Sequence, residues 1–268
     1  MFADAKTMQR LGAAMQRVLI VDPQAAAAKL LSDLLRDITL CQIWTAADAQ
    51  RGLLLAQRID PHVVFVEQCG GLDGAAFTRD LRRSDFACRK APVIMVTVEA
   101  TATAILGARD AGVHEFLRKP YTIKDLMRRL EAVFVRPRDW VEGVGYVGPD
   151  RRRFNSGDYS GPMKRRVDHA ATPDSARVVQ ALKILKSAVA AVESDPRQAL
   201  RAMLAQADDI AAAAKSLSDP KLRTAAVALG QRLDGADPLT LRRADLAPLM
   251  TELWAYLPED DSRSAVAA

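Results

Sequence analysis

The chain is poor in aromatic residues, cysteine and histidine, and each shortage closes off a class of function. Only 5% of its 268 residues are aromatic, and it has three cysteines and three histidines. Cys41, Cys69 and Cys88 give neither an even disulfide set nor a Cys-x-x-Cys zinc pair. A reduced, cytoplasmic protein is therefore expected. His62, His114 and His169 are equally dispersed, so no His/Cys cluster has metal-ligand spacing. None of them lies beyond residue 172, which excludes a histidine-bearing phosphotransfer bundle there. Long apolar runs are missing too. The longest weakly charged stretch, 91–108, is interrupted by Glu99 and too short to span a bilayer. The first residues carry Asp4, Lys6 and Arg10 without the apolar segment of a secretory leader. Gly70-Gly71 follows an apolar run but lacks the remainder of a P-loop or dinucleotide fingerprint. No nucleophile–base pair stands out, so the chain reads as neither an enzyme nor a cofactor protein.

What is present is an ordinary globular composition, 49% apolar and 26% charged. The length suits one large domain or two modest ones. The formal charge of +5 is unevenly placed: residues 17–135 carry +2, residues 136–172 carry +3, and residues 173–268 carry −1. A positive excess concentrated in the middle suggests an anionic partner, held by contacts that salt would weaken.

From Val18, short apolar runs alternate with stretches of helical period. The runs are Val18–Val21, Gln42–Thr45, Val63–Val66, Val93–Val96 and Glu115–Leu117, with helices predicted over 25–38, 48–57, 75–83, 100–111 and 123–133. Five buried strands alternating with five helices predict an α/β fold, a doubly wound, flavodoxin-like parallel sheet. Ligand chemistry in such sheets sits beyond the strand C-termini. There the sequence places Asp22, Pro23, Glu67, Thr97 and Lys119.

Residues 136–172 combine Pro, Gly and Arg with little apolar periodicity and read as a linker. An element recurs within it: Tyr146-Val-Gly-Pro-Asp-Arg151-Arg152-Arg153, then Tyr159-Ser-Gly-Pro-Met-Lys164-Arg165-Arg166. Beyond Pro173, Asp195-Pro196 and Asp219-Pro220 mark helix starts, and four helices are predicted, the last carrying Leu246, Met250, Leu253 and Trp254. Their apolar stripes require burial in an all-α bundle or against a second copy. The expected boundaries are thus an N-terminal extension at 1–16, an α/β domain at 17–135, the linker at 136–172, a helical domain at 173–258 and a disordered tail at 259–268.

Residues 17–135 resemble the receiver domain of two-component response regulators (CheY-like). The matching residues are Val-Leu-Ile-Val-Asp22, Pro61-His62-Val-Val-Phe-Val-Glu67, Leu72-Asp73-Gly74, Pro92-Val-Ile-Met-Val-Thr97, Gly112 and Phe116-Leu-Arg-Lys119-Pro120, in the family's order. The resemblance implies an acidic pair after the first strand holding Mg²⁺ and a phosphoacceptor aspartate after the third. It also implies a hydroxyl (Thr97) and a lysine (Lys119) that bind phosphoryl oxygens, a Thr97–Phe116 switch and a cis Lys119–Pro120 bond. The sequence departs at two of these positions: Glu67 replaces the acceptor aspartate, and Pro23 replaces the second metal-binding acid. A displacement of ~1 Å can cost ~100-fold in such chemistry. Mg²⁺ demands near-octahedral oxygen coordination, so only weak metal binding at Asp22 and Glu67 is expected.

The expectation is therefore a pseudo-receiver adaptor in a phosphorelay network, acting on a protein partner without normal phosphorylation. Glu67 would either imitate a phosphoryl group in part, its charge being below the ~−1.5 to −2 of a phosphate, or simply neutralise Lys119. Two alternatives stand beside this reading. One is an effector binding an anion such as a cyclic dinucleotide through Arg151–Arg153 and Lys164–Arg166. The other is an atypical regulator that is still phosphorylated. Homodimerisation through the Ala-rich helices is open, whereas sequence-specific DNA reading is not expected because no basic recognition helix appears.

Overall fold

The computed structural model describes residues 5–151 and 173–258, with side chains from residue 8. The chain divides into two units: residues 142–145 belong with the C-terminal helices, and the rest up to residue 151 forms the first unit.

In the first unit five parallel strands form one sheet in the order β2-β1-β3-β4-β5. They are β1 (Arg17–Val21), β2 (Gln42–Ala46), β3 (Val63–Glu67), β4 (Val93–Thr97) and β5 (Glu115–Arg118). Side chains alternate between the two faces, as strand geometry requires. Val18, Ile20, Val63, Phe65, Ile94 and Val96 enter one apolar core, while Leu19, Val21, Val64, Val66, Val93 and Met95 enter the other. A sheet buried on both faces needs continuous apolar strands, and β3 and β4 are buried at every position.

Helices α1 (Ala5–Ala14), α2 (Ala25–Ile38) and α6 (Ile123–Phe134) supply the first core; α3 (Ala49–Ile59), α4 (Gly74–Arg83) and α5 (Ala102–Asp110) supply the second. Their starts are chemically marked. The side chains of Asp48, Asp73 and Thr101 accept backbone N–H groups of the first turns of α3, α4 and α5, and Thr122 with Asp125 forms a reciprocal box on α6.

The expected boundaries of this unit need correction at both ends. Residues 1–16 are not a mere extension, because α1 buries Leu11 completely, and Met15 just beyond it, in the first core. Nor is the whole of 136–172 a linker. Strands β6 (Trp140–Glu142) and β7 (Val147–Pro149) pair with each other, and Tyr146 is buried with its hydroxyl donating to the Pro149 carbonyl at 2.6 Å. Glycine makes this fit possible: Gly112 has φ +90, and a Cβ there would lie 2.5 Å from the Val147 carbonyl oxygen.

The second unit holds α7 (Pro173–Ala190), α8 (Pro196–Ser216), α9 (Pro220–Leu233) and α10 (Arg243–Trp254). Proline occupies the first turns of α8 and α9, where its missing N–H costs nothing. Helix α8 packs on α7 and α9, and α10 packs on both of those. The core is built from small residues, including Ala181, Ala188, Ala199, Ala202, Ala207 and Ala226, filled out by Leu182, Leu185, Met203, Ile210, Leu229, Leu246, Met250 and Leu253. Among the described residues no helix is long and apolar enough to cross a membrane. The expected tail at 259–268 lies outside the described residues.

Candidate functional site

The C-terminal ends of β1, β3, β4 and β5 bring Asp22, Glu67, Thr97 and Lys119 together. Each is placed by the strand it ends or follows, so the cluster is a consequence of parallel topology. The Lys119 ammonium pairs with both carboxylates: with Asp22 Oδ2 at 3.2 Å and, more tightly, with Glu67 Oε2. Asp22 and Glu67 are buried, and the Lys119 side chain is only 20% exposed. The Lys119–Pro120 peptide bond is cis.

Two carboxylates thus face one cation. Burial, aided by the Asp22 charge, raises the Glu67 carboxyl above its ordinary value, against the opposing pull of Lys119. Burial works to lower the Lys119 ammonium, yet hydrogen bonding and charge from Glu67, and then Asp22, outweigh it and hold the pKa above that of a free lysine. Tyr121, two residues on, is raised as well, by burial first and by both carboxylates in addition. Its proximity was not expected from sequence; the signal was its position just after the Lys-Pro pair.

The remaining polar groups are tied to the backbone. Asp22 Oδ1 accepts the Gln24 N–H at 2.8 Å, which fixes the loop through the exposed Pro23. Thr97 is 1% exposed; its hydroxyl donates to the Gln68 carbonyl at 2.9 Å and accepts the Glu99 N–H at 3.1 Å. Gln68 Oε1 in turn accepts the Ala75 N–H at 3.1 Å, at the start of α4. The short loop between them is closed by reciprocal hydrogen bonds of 3.1 Å between Cys69 and Leu72. A Cβ on Gly74 would lie 2.5 Å from the Glu67 carbonyl oxygen, so glycine is required for α4 to start this close to β3. Phe116 sits half-buried on β5 beside Met95 and packs against the second core.

The site offers two carboxylates, both engaged by Lys119, and Pro23 contributes no carboxylate oxygen. Among the described residues no group of three or more His, Cys, Asp or Glu side chains could hold a metal ion.

Of the six cations in the doubled basic element, Arg151 alone lies within the described residues; Arg152, Arg153, Lys164, Arg165 and Arg166 fall outside them. Arg151 is turned onto the first unit, 3.0 Å from Asp110 and stacked 4.4 Å from the Tyr146 ring. Its guanidinium is thus already occupied by a carboxylate and an aromatic face.

Sequence reasoning missed a second polar cluster, at the opposite strand ends. Arg82 is 1% exposed and has no carboxylate partner among the described residues; it donates to the carbonyls of Gly112 (3.0 and 3.1 Å), Arg89 (2.6 Å) and Ala91 (2.9 Å) and to His114 Nδ1 (3.1 Å). Burial lowers its pKa to about 9. Burial, with the Arg82 and Arg138 charges, keeps His114 neutral well below the usual histidine range. Trp140 covers this group, 5.2 Å from the Arg82 guanidinium.

Residues 18–131 match the model of the response regulator receiver domain. The probable chemotaxis protein CheY of Rhizobium etli is 31% identical over 119 residues, which cover 44% of this chain and 92% of that protein. The chemotaxis protein CheY-3 of Vibrio cholerae is 29% identical over 121 residues, covering 45% and 92%. Among solved structures, Vibrio cholerae CheY4 superposes on 45% of this chain and 99% of its own, with 26% identity and a TM-score of 0.42. Through its first unit, the chain belongs to the response regulator receiver domain family of two-component signalling.

Proposed function

We propose that the first unit is a pseudo-receiver, a signalling adaptor of the cytoplasm that works by protein–protein contact rather than by phosphorylation, and that it catalyses no reaction of its own. The observation that carries this reading is the Glu67–Lys119–Asp22 ion cluster. In a working receiver an incoming phosphoryl group needs a lysine that can turn to it, a metal and an acceptor at fixed distance. Here the lysine is neutralised by the side chain that replaces the acceptor, and the remaining acid shares it. Displacing Lys119 would strand two carboxylates side by side, a costly arrangement in a buried site. Glu67 therefore occupies Lys119 without a phosphoryl group, with Thr97 fastened to the neighbouring backbone.

Mg²⁺ titration by calorimetry, followed by beryllofluoride, tests the proposal. It predicts no saturable heat and no change in tryptophan emission. Saturable, Mg²⁺-dependent binding would favour the alternative of a regulator that is still phosphorylated. The anion-effector reading is weakened by the pairing of Arg151 with Asp110 and Tyr146, and calorimetry with a cyclic dinucleotide checks it directly.

A further inference from the structure

The buried polar residues of the second unit, among those described, are three: Glu142, Gln198 and Gln206. All three serve one purpose. Gln198 and Gln206 lie eight residues apart on α8, a little over two turns, and so on nearly the same face. Gln198 Nε2 donates to the Glu142 carboxylate at 2.8 Å and to the Gly143 carbonyl at 3.2 Å, and Gln206 Nε2 donates to the Glu142 carbonyl at 3.1 Å. Val144 adds its side chain to the apolar core of the helices. Two successive main-chain carbonyls, one carboxylate and one aliphatic side chain are read together. A Cβ on Gly145 would meet open space, so that position tolerates any side chain.

An alanine-rich bundle has no packing need for two glutamines that are 2% and 3% exposed. Burying an amide is unfavourable unless its donors and acceptors are matched. The match here is incomplete, because Gln198 Oε1 is buried without a hydrogen-bond partner among the described residues. An orphan acceptor is destabilising, and a segment offering a well-placed N–H would recover that loss.

We infer that the glutamine face of α8 is a peptide-recognition socket, filled in this structure by the chain's own residues 142–145 and suited to a partner segment of the form acidic–glycine–aliphatic–any residue. The partner's extra N–H would satisfy Gln198 Oε1, and its acid and aliphatic side chains would replace Glu142 and Val144. The chain's own segment holds the socket closed through effective concentration, ~mM for a short tether. Self-occupancy makes the contact autoinhibitory, and a competing peptide gains access only when the internal segment is weakened.

The test uses the full chain and a fluorescein-labelled peptide of residues 138–149, read by anisotropy. The double variant Glu142→Ala/Val144→Ala is expected to bind the peptide saturably, at least tenfold more tightly than the wild type. Adding Gln206→Leu should remove that gain. A folded double variant with no saturable binding, or binding unaffected by Gln206→Leu, overturns the socket. Hydrogen exchange gives a readout that needs no peptide and does not depend on the double variant folding. Gln206→Leu alone should speed amide exchange across residues 142–145 at least tenfold, and unchanged exchange there contradicts the inference.

Discussion

The first unit places two cations at opposite ends of its sheet, and they are treated in opposite ways. Lys119, beyond the C-terminal end of β5, faces two carboxylates and keeps its proton more firmly than a free lysine. Arg82, below the N-terminal ends of β4 and β5, faces no carboxylate among the described residues and is held by carbonyls and an imidazole, with its pKa lowered to about 9. A lysine is a compact charge that pairing can neutralise, whereas a guanidinium can distribute its donors over several carbonyls. The Lys119 end is therefore an electrostatic device, sensitive to any group that competes for the ammonium. The Arg82 end is a joint: it ties α4, the strand starts and the β6–β7 segment into one body.

Breaking the joint should cost the most. Arg82→Met strands the carbonyls of Gly112, Arg89 and Ala91 and should lower stability by ~3 kcal/mol or more, read by urea unfolding followed through Trp140 emission. Breaking the electrostatic end should cost less, because Lys119 is partly solvated. Lys119→Met is expected to lose ~2 kcal/mol and to make the protein more stable toward acid, where the two stranded carboxylates are neutralised. In the wild type the raised Lys119 pKa contributes stability that is complete below the usual lysine value and lost as pH rises through the folded-state value. Alkaline denaturation of wild type against Lys119→Met should show that limb disappear.

The joint also carries a pH signature of the opposite sign. His114 stays neutral when folded, so the unfolded chain takes up a proton that the native one refuses. Stability should fall as pH drops below the ordinary histidine value, with a slope of up to ~1.4 kcal/mol per pH unit. His114→Gln should flatten it in acid unfolding curves. The smallest effect should come from Glu67→Gln. The raised Glu67 pKa means that stability declines as pH rises from the ordinary carboxylate range through the folded-state value. Removing that ionisation should change stability by under ~1 kcal/mol at neutral pH, with Asp22 still holding Lys119. Thermal melts across pH 4–8 would resolve it.

The electrostatic end was legible in the sequence and the joint was not. Asp22, Glu67, Thr97 and Lys119 each terminate or follow a short apolar run, and a parallel sheet necessarily gathers such positions. That Pro23 offers no carboxylate and that a glutamate stands at 67 was readable as well. What periodicity could not supply was the pairing itself, since the reach of Glu67 to Lys119 depends on strand register. Arg82 looked like one more basic residue at the end of an amphipathic helix, and only its neighbours across 30 residues of sequence make it a core group. Residues 138–151 looked like linker because their strands are only three residues long and Gly143, Gly145, Gly148 and Pro149 interrupt any apolar period. Their burial comes from Tyr146, Trp140 and the glycine contact at Gly112, none of which leaves a periodic trace. The helical unit was readable in outline, from its Asp-Pro starts, but Gln198 and Gln206 reveal their role only beside Glu142.

The central claim is that Glu67 occupies the place of a phosphoacceptor without accepting a phosphoryl group. Intact-mass measurement after incubation with acetyl phosphate and Mg²⁺ tests it most directly, with Glu67→Asp measured in parallel. The account predicts no phosphoryl adduct on the wild-type chain. A stoichiometric, Mg²⁺-dependent adduct on the wild type that is lost in Glu67→Gln would show a working site and contradict the account.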